Sequence, residues 1–352
     1  MVVTATVNVQ DANAGSRQNE VCLALVGLGR AGGFHQQSMN ILRKQARLKW
    51  VVDVNKKLVD KACEEWGCHG ATSLVEVLED AEVQGVIVAS TTTSHYEQIM
   101  ACLKAGKAVF TEKPVALNAQ HLKEVIDYAK NSAIPFLVGF QRRFDRNFCA
   151  LKAELDAGTV GAPRVIKVCS RDNPLPPLPY LATSSGLFHD MVCHDIDMIH
   201  YLTGQVPDSV FAIGHCYNKD IEAMNDIDTV VVTLSFPSGM LGTIDTSRTA
   251  PYGYDQRVEV MGEHGMAQAE NEKESTLVVG TKEGFRTSRA KWTFSQRYEE
   301  AYLQSLEHFI VGMVRANKTD DPEQLQRHVI LERVIAAAEE SYKSGERVRL
   351  SK

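Results

Sequence analysis

No stretch of the sequence approaches the roughly 20 consecutive apolar residues that a bilayer-spanning helix requires, so no segment reads as a membrane anchor. A block of cations is also missing. The 38 Lys and Arg are scattered among 44 Asp and Glu, and the net charge of −6 leaves no electrostatic footprint for nucleic acid. Eight cysteines are present (Cys22, Cys63, Cys68, Cys102, Cys149, Cys169, Cys193 and Cys216), but none forms a C-x-x-C pair. Several sit inside apolar patterns, so they read as free thiols in a reducing, cytoplasmic compartment. Internal repeats and low-complexity tracts are absent as well. The first 20 residues have neither the basic start nor the apolar core of a secretory signal and read as a disordered leader.

What is present is enough chain for two domains: 352 residues exceed what one core usually organises. From Val21 the sequence VCLALVGLGRAGG places a short apolar run before Gly27, Gly29 and Gly32, followed by a helical pattern. Strand, G-x-G-x-x-G and helix in that order form a dinucleotide fingerprint. The first glycine permits the turn, the second lets a pyrophosphate approach, and the third lets helix and strand pack closely. Asp53 closes the next strand, Leu48 to Val54, about 20 residues on, where a carboxylate accepts hydrogen bonds from an adenosine ribose. A 2′-phosphate about 4 Å from that charge would cost on the order of a few kcal/mol, which favours NAD over NADP. Lys56 and Lys57 can soften the preference.

Further alternation predicts helices over Lys56–Trp66, Ser73–Asp80, Ser94–Ala105 and Asn118–Ser132, with strands over Gly85–Ser90, Ala108–Glu112 and Phe136–Phe140. The fold class expected is an α/β doubly wound parallel sheet over residues 21–144. Ligands on such sheets lie beyond the carboxyl ends of the strands. The cofactor contacts expected are Gly27, Leu28, Gly29, Arg30 and Ala31, then Asp53 and Val54, then Ser90, Thr91, Thr92 and His95, then Glu112 and Lys113. Lys113 sits where it can hydrogen-bond a substrate hydroxyl and relay its proton; position alone also allows a lysine capping a sheet edge.

Beyond a connector helix over Asp145–Gly158, strands with hairpin punctuation and two late helices, Arg297–Ala316 and Pro322–Lys343, predict an α+β domain over 145–352 with a largely antiparallel open sheet. Its exposed face calls for cover by another subunit. Between a proline-rich loop, Asn173 to Tyr180, and these strands lies SSGLFHDMVCHDIDMIHYLTG, Ser184 to Gly204, which reads as one helix with serines capping its start. Helical spacing puts Asp190, His194, Asp197 and Tyr201 on one face. A carboxylate one turn from an imidazole fixes its tautomer and raises its basicity, as a general base requires; a core histidine satisfied by an aspartate gives the same pattern. A metal site at His189, Cys193 and His194 is not expected, because adjacent and four-apart ligands do not assemble a shell.

Four segments together, GLGRAGGFH, TEKPVAL, GFQRRFD and HDMVCHDIDMIHYL, resemble the family of glucose-fructose oxidoreductase, inositol dehydrogenase and MocA, over Val21 to about Lys343. The YGYD-x-x-x-E-x-x-GE-x-G stretch from Tyr252 resembles its inositol 2-dehydrogenase branch. The resemblance implies NAD, a cyclic polyol or sugar as substrate, and a homotetramer or dimer. It further implies that Lys113 and His194 handle the hydroxyl proton, that Asp190 orients the histidine or holds a substrate hydroxyl, and that Arg143, Asn173 and Tyr254 contact substrate. Ser170 to Asp172 stands where inositol-specific members often place a histidine, which leaves the polyol open. The activity expected is oxidation of a secondary hydroxyl to a ketone. Two alternatives use the same fold: internal redox on tightly held NAD, as in glycosidase-like or epimerase-like relatives, and a dinucleotide sensor without turnover.

Overall fold

The computed structural model describes residues 20–350, so the leader expected over 1–20 lies almost wholly outside the described residues. The chain divides into two compact units. The first takes in the chain up to Val115, Asp127–Gly139 and Ser305–Asp320; the second takes in Ala116–Ile126, Phe140–Gln304 and Asp321–Lys352. The sequence leads one to expect a division at 144/145, and one boundary between these units lies between Gly139 and Phe140.

In the first unit the chain runs β1 (Val21–Val26), α1 (Arg30–Ile41), β2 (Ala46–Val52), α2 (Lys56–Trp66), β3 (His69–Ala71), α3 (Val75–Glu79), β4 (Gly85–Val88), α4 (Thr92–Lys104) and β5 (Ala108–Thr111). After α5 (Ala119–Asn131), which both units share, β6 (Phe136–Val138) completes an all-parallel sheet ordered β3-β2-β1-β4-β5-β6. Each residue of β1, β4, β5 and β6 is buried, as expected for strands covered on both faces. The order reverses between β1 and β4, the crevice where dinucleotides bind on such sheets. Asn55 caps α2 by accepting from the Lys57 amide, and Gly67 ends it at φ 61°. Phe309, from the segment that returns late in the chain, packs edge-on against Phe110 of β5.

The second unit contributes α6 (Arg146–Asp156), β7 (Pro163–Arg171), α7 (Leu178–Leu181), a π-type turn over Phe188–Val192, α8 (Cys193–Thr203), β8 (Ser209–His215) and α9 (Lys219–Glu222). Then follow β9 (Thr229–Ser235), β10 (Leu241–Ser247), β11 (Asp255–Gly262), β12 (Met266–Ala269), the hairpin β13 (Val278–Thr281) and β14 (Gly284–Thr287), α10 (Phe294–Glu307), α11 (Pro322–Ser344) and β15 (Val348–Arg349). The seven-stranded sheet is ordered β12-β11-β7-β10-β9-β8-β15 and is antiparallel except for the β7–β10 pair. Asp145 caps α6 through the Asn147 and Phe148 amides while its carboxylate also holds the buried Arg297.

The segment from Ser184 departs from the expected single helix. Ser185 and Gly186 have φ of 66° and 79°, which interrupts the helix, and the Ser184 hydroxyl donates back to the Leu181 carbonyl instead of capping. The cap comes from far away: Asp226 Oδ1 accepts the Leu187 amide at 3.0 Å. Helical structure then starts with the π-type turn, and Gly204 ends α8 at φ 68°. The late helix expected over Arg297–Ala316 starts at Phe294 and widens to π geometry over His308–Arg315.

Candidate active site

The dinucleotide half is built by the strand ends of the first unit. Gly27 has φ 93°, and a Cβ there would lie 2.5 Å from the Ala89 backbone; one on Gly32 would lie 2.1 Å from the Gly27 carbonyl. Both glycines are thus demanded by the protein's own packing. Gly29 differs: a Cβ there would meet nothing within 4 Å, so the space over it is open to a ligand. Gly29 also leaves the start of α1 without a side-chain cap, so the amides around Arg30 and Ala31 present the donors an anion needs. These features fit a dinucleotide pyrophosphate.

Asp53 is held at the same loop. Its Oδ2 accepts the Leu28 amide and its Oδ1 the Asn55 amide, both at 2.8 Å. The carboxylate is thereby aimed, with lone pairs left for a ribose diol, and Val54 beside it is 92% exposed, an apolar surface suited to a purine ring. Ser90 donates to Gln98 Oε1 at 2.6 Å, and Thr91 and Thr92 open α4.

His95, expected to touch the cofactor, is 1% exposed and has other work. Its Nδ1 lies 2.7 Å from the Pro114 carbonyl and its Nε2 3.2 Å from that of Ser90, so the ring braces the two loops. Burial pushes its pKa below the ordinary value. Glu112, also expected at the cofactor, points its Oε1 at His35 Nε2, 2.8 Å away, in buried surroundings. Gly139 makes room for that carboxyl: a Cβ there would sit 3.3 Å from it. His35 lies in the GLGRAGGFH segment but the pattern gave it no role. Lys113 lies two residues past β5, half-buried, and its peptide bond to Pro114 is cis.

The second unit holds the polar helix. Asp190 and His194 are 8% and 7% exposed. Asp190 Oδ1 accepts the Tyr180 hydroxyl at 2.8 Å, and Oδ2 accepts Arg248 Nη1 at 2.9 Å. The His194 ring stands edge-on to Phe140, centroids 5.7 Å apart, and Phe140 stacks on His328. Burial, with Arg327 and Arg143 nearby, holds His328 well below its ordinary pKa, so it is a neutral packing ring.

The single polar stripe predicted by helical spacing is divided among several partners. Asp197 takes the Arg143 guanidinium in a forked pair, and Tyr201 lies beside Cys149. Arg143, expected at substrate, is therefore committed to α8. Its neighbour Arg142 pairs with Asp195 at 2.7 Å, and Asp195 also accepts from Thr246 at 2.8 Å. Tyr254, expected at substrate, is buried with its hydroxyl 3.4 Å from Arg142, and burial raises its pKa. The Asn173 side-chain amide donates to the Trp292 carbonyl at 2.9 Å. Each of these positions has a protein partner. Sequence reasoning missed Arg142, Asp195, Tyr180 and Arg248. An Arg-Arg dipeptide and an Asp-x-Asp on an apolar helix were the available signal, since buried charges demand partners. Among the described residues no group of three or more His, Cys, Asp or Glu could hold a metal ion, and no helix is long and apolar enough to cross a membrane.

Comparison with known proteins agrees with this arrangement. Residues 21–140 match the oxidoreductase-family NAD-binding Rossmann fold, and residues 148–268 match the GFO/IDH/MocA C-terminal domain. The chain is 41% identical to the myo-inositol 2-dehydrogenase of Thermotoga maritima, over 82% of this chain and 86% of that protein. A crystal structure of a probable dehydrogenase from Thermotoga maritima superposes with a TM-score of 0.88 at 37% identity, covering 94% of this chain and 99% of that one. The scyllo-inositol dehydrogenase of Lactobacillus casei, solved with NAD(H) and scyllo-inositol bound, gives a TM-score of 0.82 at 27% identity over 94% and 99% of the two chains. An open dinucleotide cradle and these matches agree: the chain belongs to the GFO/IDH/MocA family of NAD-binding oxidoreductases.

Proposed function

We propose that this oxidoreductase oxidises a secondary hydroxyl of a cyclic polyol, an inositol in the first place, to the ketone. The reading is supported by relatives that act on myo-inositol and bind scyllo-inositol. The single observation that carries it is a buried, ion-paired Asp190 one turn from the buried His194, in a chain whose dinucleotide cradle is complete. A pure dinucleotide binder needs only the cradle.

In this proposal His194 accepts the hydroxyl proton as general base, and Lys113 hydrogen-bonds the same oxygen and assists. Asp190 orients His194 or holds a neighbouring substrate hydroxyl. Gly27 to Ala31 and Asp53 would hold NAD, which when bound supplies the hydride acceptor. The test follows NADH formation with myo-, scyllo- and chiro-inositol, glucose and xylose. Turnover on at least one polyol is expected; silence across the panel, with NAD found in the purified protein, would favour internal redox or sensing instead.

Cofactor choice has its own test. Asp53→Ala removes both the ribose acceptor and the charge that repels a 2′-phosphate, so the NAD-to-NADP ratio of kcat/KM should narrow by roughly tenfold to a hundredfold. It also frees the Leu28 amide, so part of the loss in NAD affinity will come from the glycine loop itself. An unchanged ratio would remove the ribose contact from the proposal.

The proposal includes a cytoplasmic homo-oligomer, a tetramer or dimer. All eight cysteines are free thiols, and burial pushes the Cys102 thiol up to about 12, which suits a reducing compartment. On the large sheet Val231 lies opposite Ile213, and with Leu241 these apolar side chains share one exposed face, beside Asp245, that a second copy would cover.

A further inference from the structure

Arg248 lies outside every motif used above, one residue past β10, and its side chain is wholly buried. A guanidinium in such a place must be paired. Its Nη1 donates to Asp190 Oδ2 at 2.9 Å and its Nη2 to Asp226 Oδ2 at 3.0 Å. The other oxygens of these two carboxylates are also engaged. Asp190 Oδ1 accepts the Tyr180 hydroxyl, and Asp226 Oδ1 accepts the Leu187 amide that opens the π-type turn. One arginine thus reaches the carboxylate inside that turn and, through Asp226, the amide at its start.

We propose that Arg248 is a positioning residue for the dehydrogenase reaction, holding Asp190 ionised and in one rotamer, with the Tyr180 hydroxyl as its second support. The proposal rests on the roles given to Asp190 and His194 under the proposed function. An unpaired carboxylate at 8% exposure would favour its neutral form and lose its orientation. Arg248 prevents both, and its charge also limits how strongly Asp190 raises the basicity of His194.

The charged and titratable groups around Asp190 come from every neighbouring element. Its own segment carries His189 and His194, α7 gives Tyr180, and the connections around β9 and β10 give Asp226 and Arg248. From α11, His328 stacks on Phe140, while Glu332 and Glu339 face His189 at 3.5 and 3.3 Å. Arg248 brings its cation to the Asp190 carboxylate at 2.9 Å.

The test is the pH profile of kcat/KM at saturating NAD, on the polyol the parent turns over, for Arg248→Gln, Arg248→Lys, Asp190→Asn and the Arg248→Gln/Asp190→Asn double variant. Loss of the cation raises the proton affinity of both Asp190 and His194. The acid limb of Arg248→Gln should therefore move to higher pH by roughly one unit or more. Arg248→Lys keeps the charge but loses the fork, so its limb should stay at the parent position while kcat falls by about tenfold. In the Asp190→Asn background, Arg248→Gln should add little further loss, because the two residues act as one unit.

A purely structural arginine would lower the thermal midpoint without moving the limb and would cost as much in either background; that result overturns the proposal. Parental turnover in Asp190→Asn would instead overturn the assignment of Asp190, and this inference with it. Should Arg248→Gln fail to fold, Asp226→Asn carries the test. Its amide oxygen can still cap Leu187, while the competing charge is gone and Arg248 acts on Asp190 alone. The acid limb should then move to lower pH, and an unmoved limb overturns the proposal.

Discussion

His194→Ala is expected to lower kcat by roughly a hundredfold to ten-thousandfold, the range for removing a positioned general base. The fall in kcat/KM should run in parallel, because the proton is taken up only in the transition state. The surroundings of the ring predict a chemical effect with limited structural damage. Phe140, against which His194 stands edge-on, keeps its stack on His328 and its contact with Arg143, whose guanidinium carbon lies 5.6 Å from the ring. His328 is no substitute base, since it is stacked on Phe140 and burial with Arg327 and Arg143 nearby holds its pKa well below the ordinary value. Added imidazole should restore part of the lost rate by entering the truncated site. The measurements are steady-state kinetics with and without imidazole and the thermal midpoint of the variant. A variant within about threefold of the parent would mean that another group accepts the proton, since a general base contributes far more than that.

The features that were readable in the sequence are those whose cause is local. Gly32 is required by a contact with the Gly27 carbonyl inside one strand-turn-helix, Gly27 by its own φ of 93° in that turn, and Asp53 lies on the strand that follows, so the cradle could be read from spacing even though the Ala89 backbone also crowds Gly27. Strand burial in the first unit was equally visible, because a parallel sheet covered on both faces writes continuous apolar runs. Long-range pairing leaves no such trace. Arg248 and Asp190 are 58 residues apart, and Arg142 and Asp195 are 53 apart. Helical periodicity placed Asp190, His194, Asp197 and Tyr201 on one face, but it could not report that the turn before α8 is wide or that two adjacent arginines would divide two aspartates between them. The same limit explains His95 and Glu112. Glu112 follows β5 and His95 lies in the first turn of α4, where pattern reading assigns cofactor contacts, and their side chains meet protein partners, His95 two carbonyls and Glu112 His35.

Asp195→Ala is expected to destabilise the protein by about 3–5 kcal/mol, the cost of breaking a buried ion pair from one side. Both partners are within 5% of complete burial, so little water can replace the lost carboxylate. Arg142 would keep a 3.3 Å contact to the Ser170 hydroxyl, a 3.4 Å contact to Tyr254 and its place over the Tyr298 ring, none of them a charge, and Thr246 would lose its acceptor. An exposed pair such as Lys56–Asp60 is the control, and Asp60→Ala should cost less than about 1 kcal/mol. The two variants are compared by the midpoint of urea unfolding and by hydrogen exchange of the α8 amides; similar shifts in both would show that the buried pair does not hold α8. Replacing both partners, as Arg142→Met with Asp195→Leu, should recover most of the stability, because apolar residues of similar volume avoid the cost of dehydrating two charges. Turnover should not recover with it. Arg142 lies in the short turn over Gln141–Phe144 and Asp195 one residue beyond His194, so their pairing fixes where along that turn the helix sits. A double variant that unfolds like the parent but oxidises substrate slowly would separate the two contributions. The ion pair would then serve chiefly to set the position of His194, with net stability supplied by the apolar face of α8.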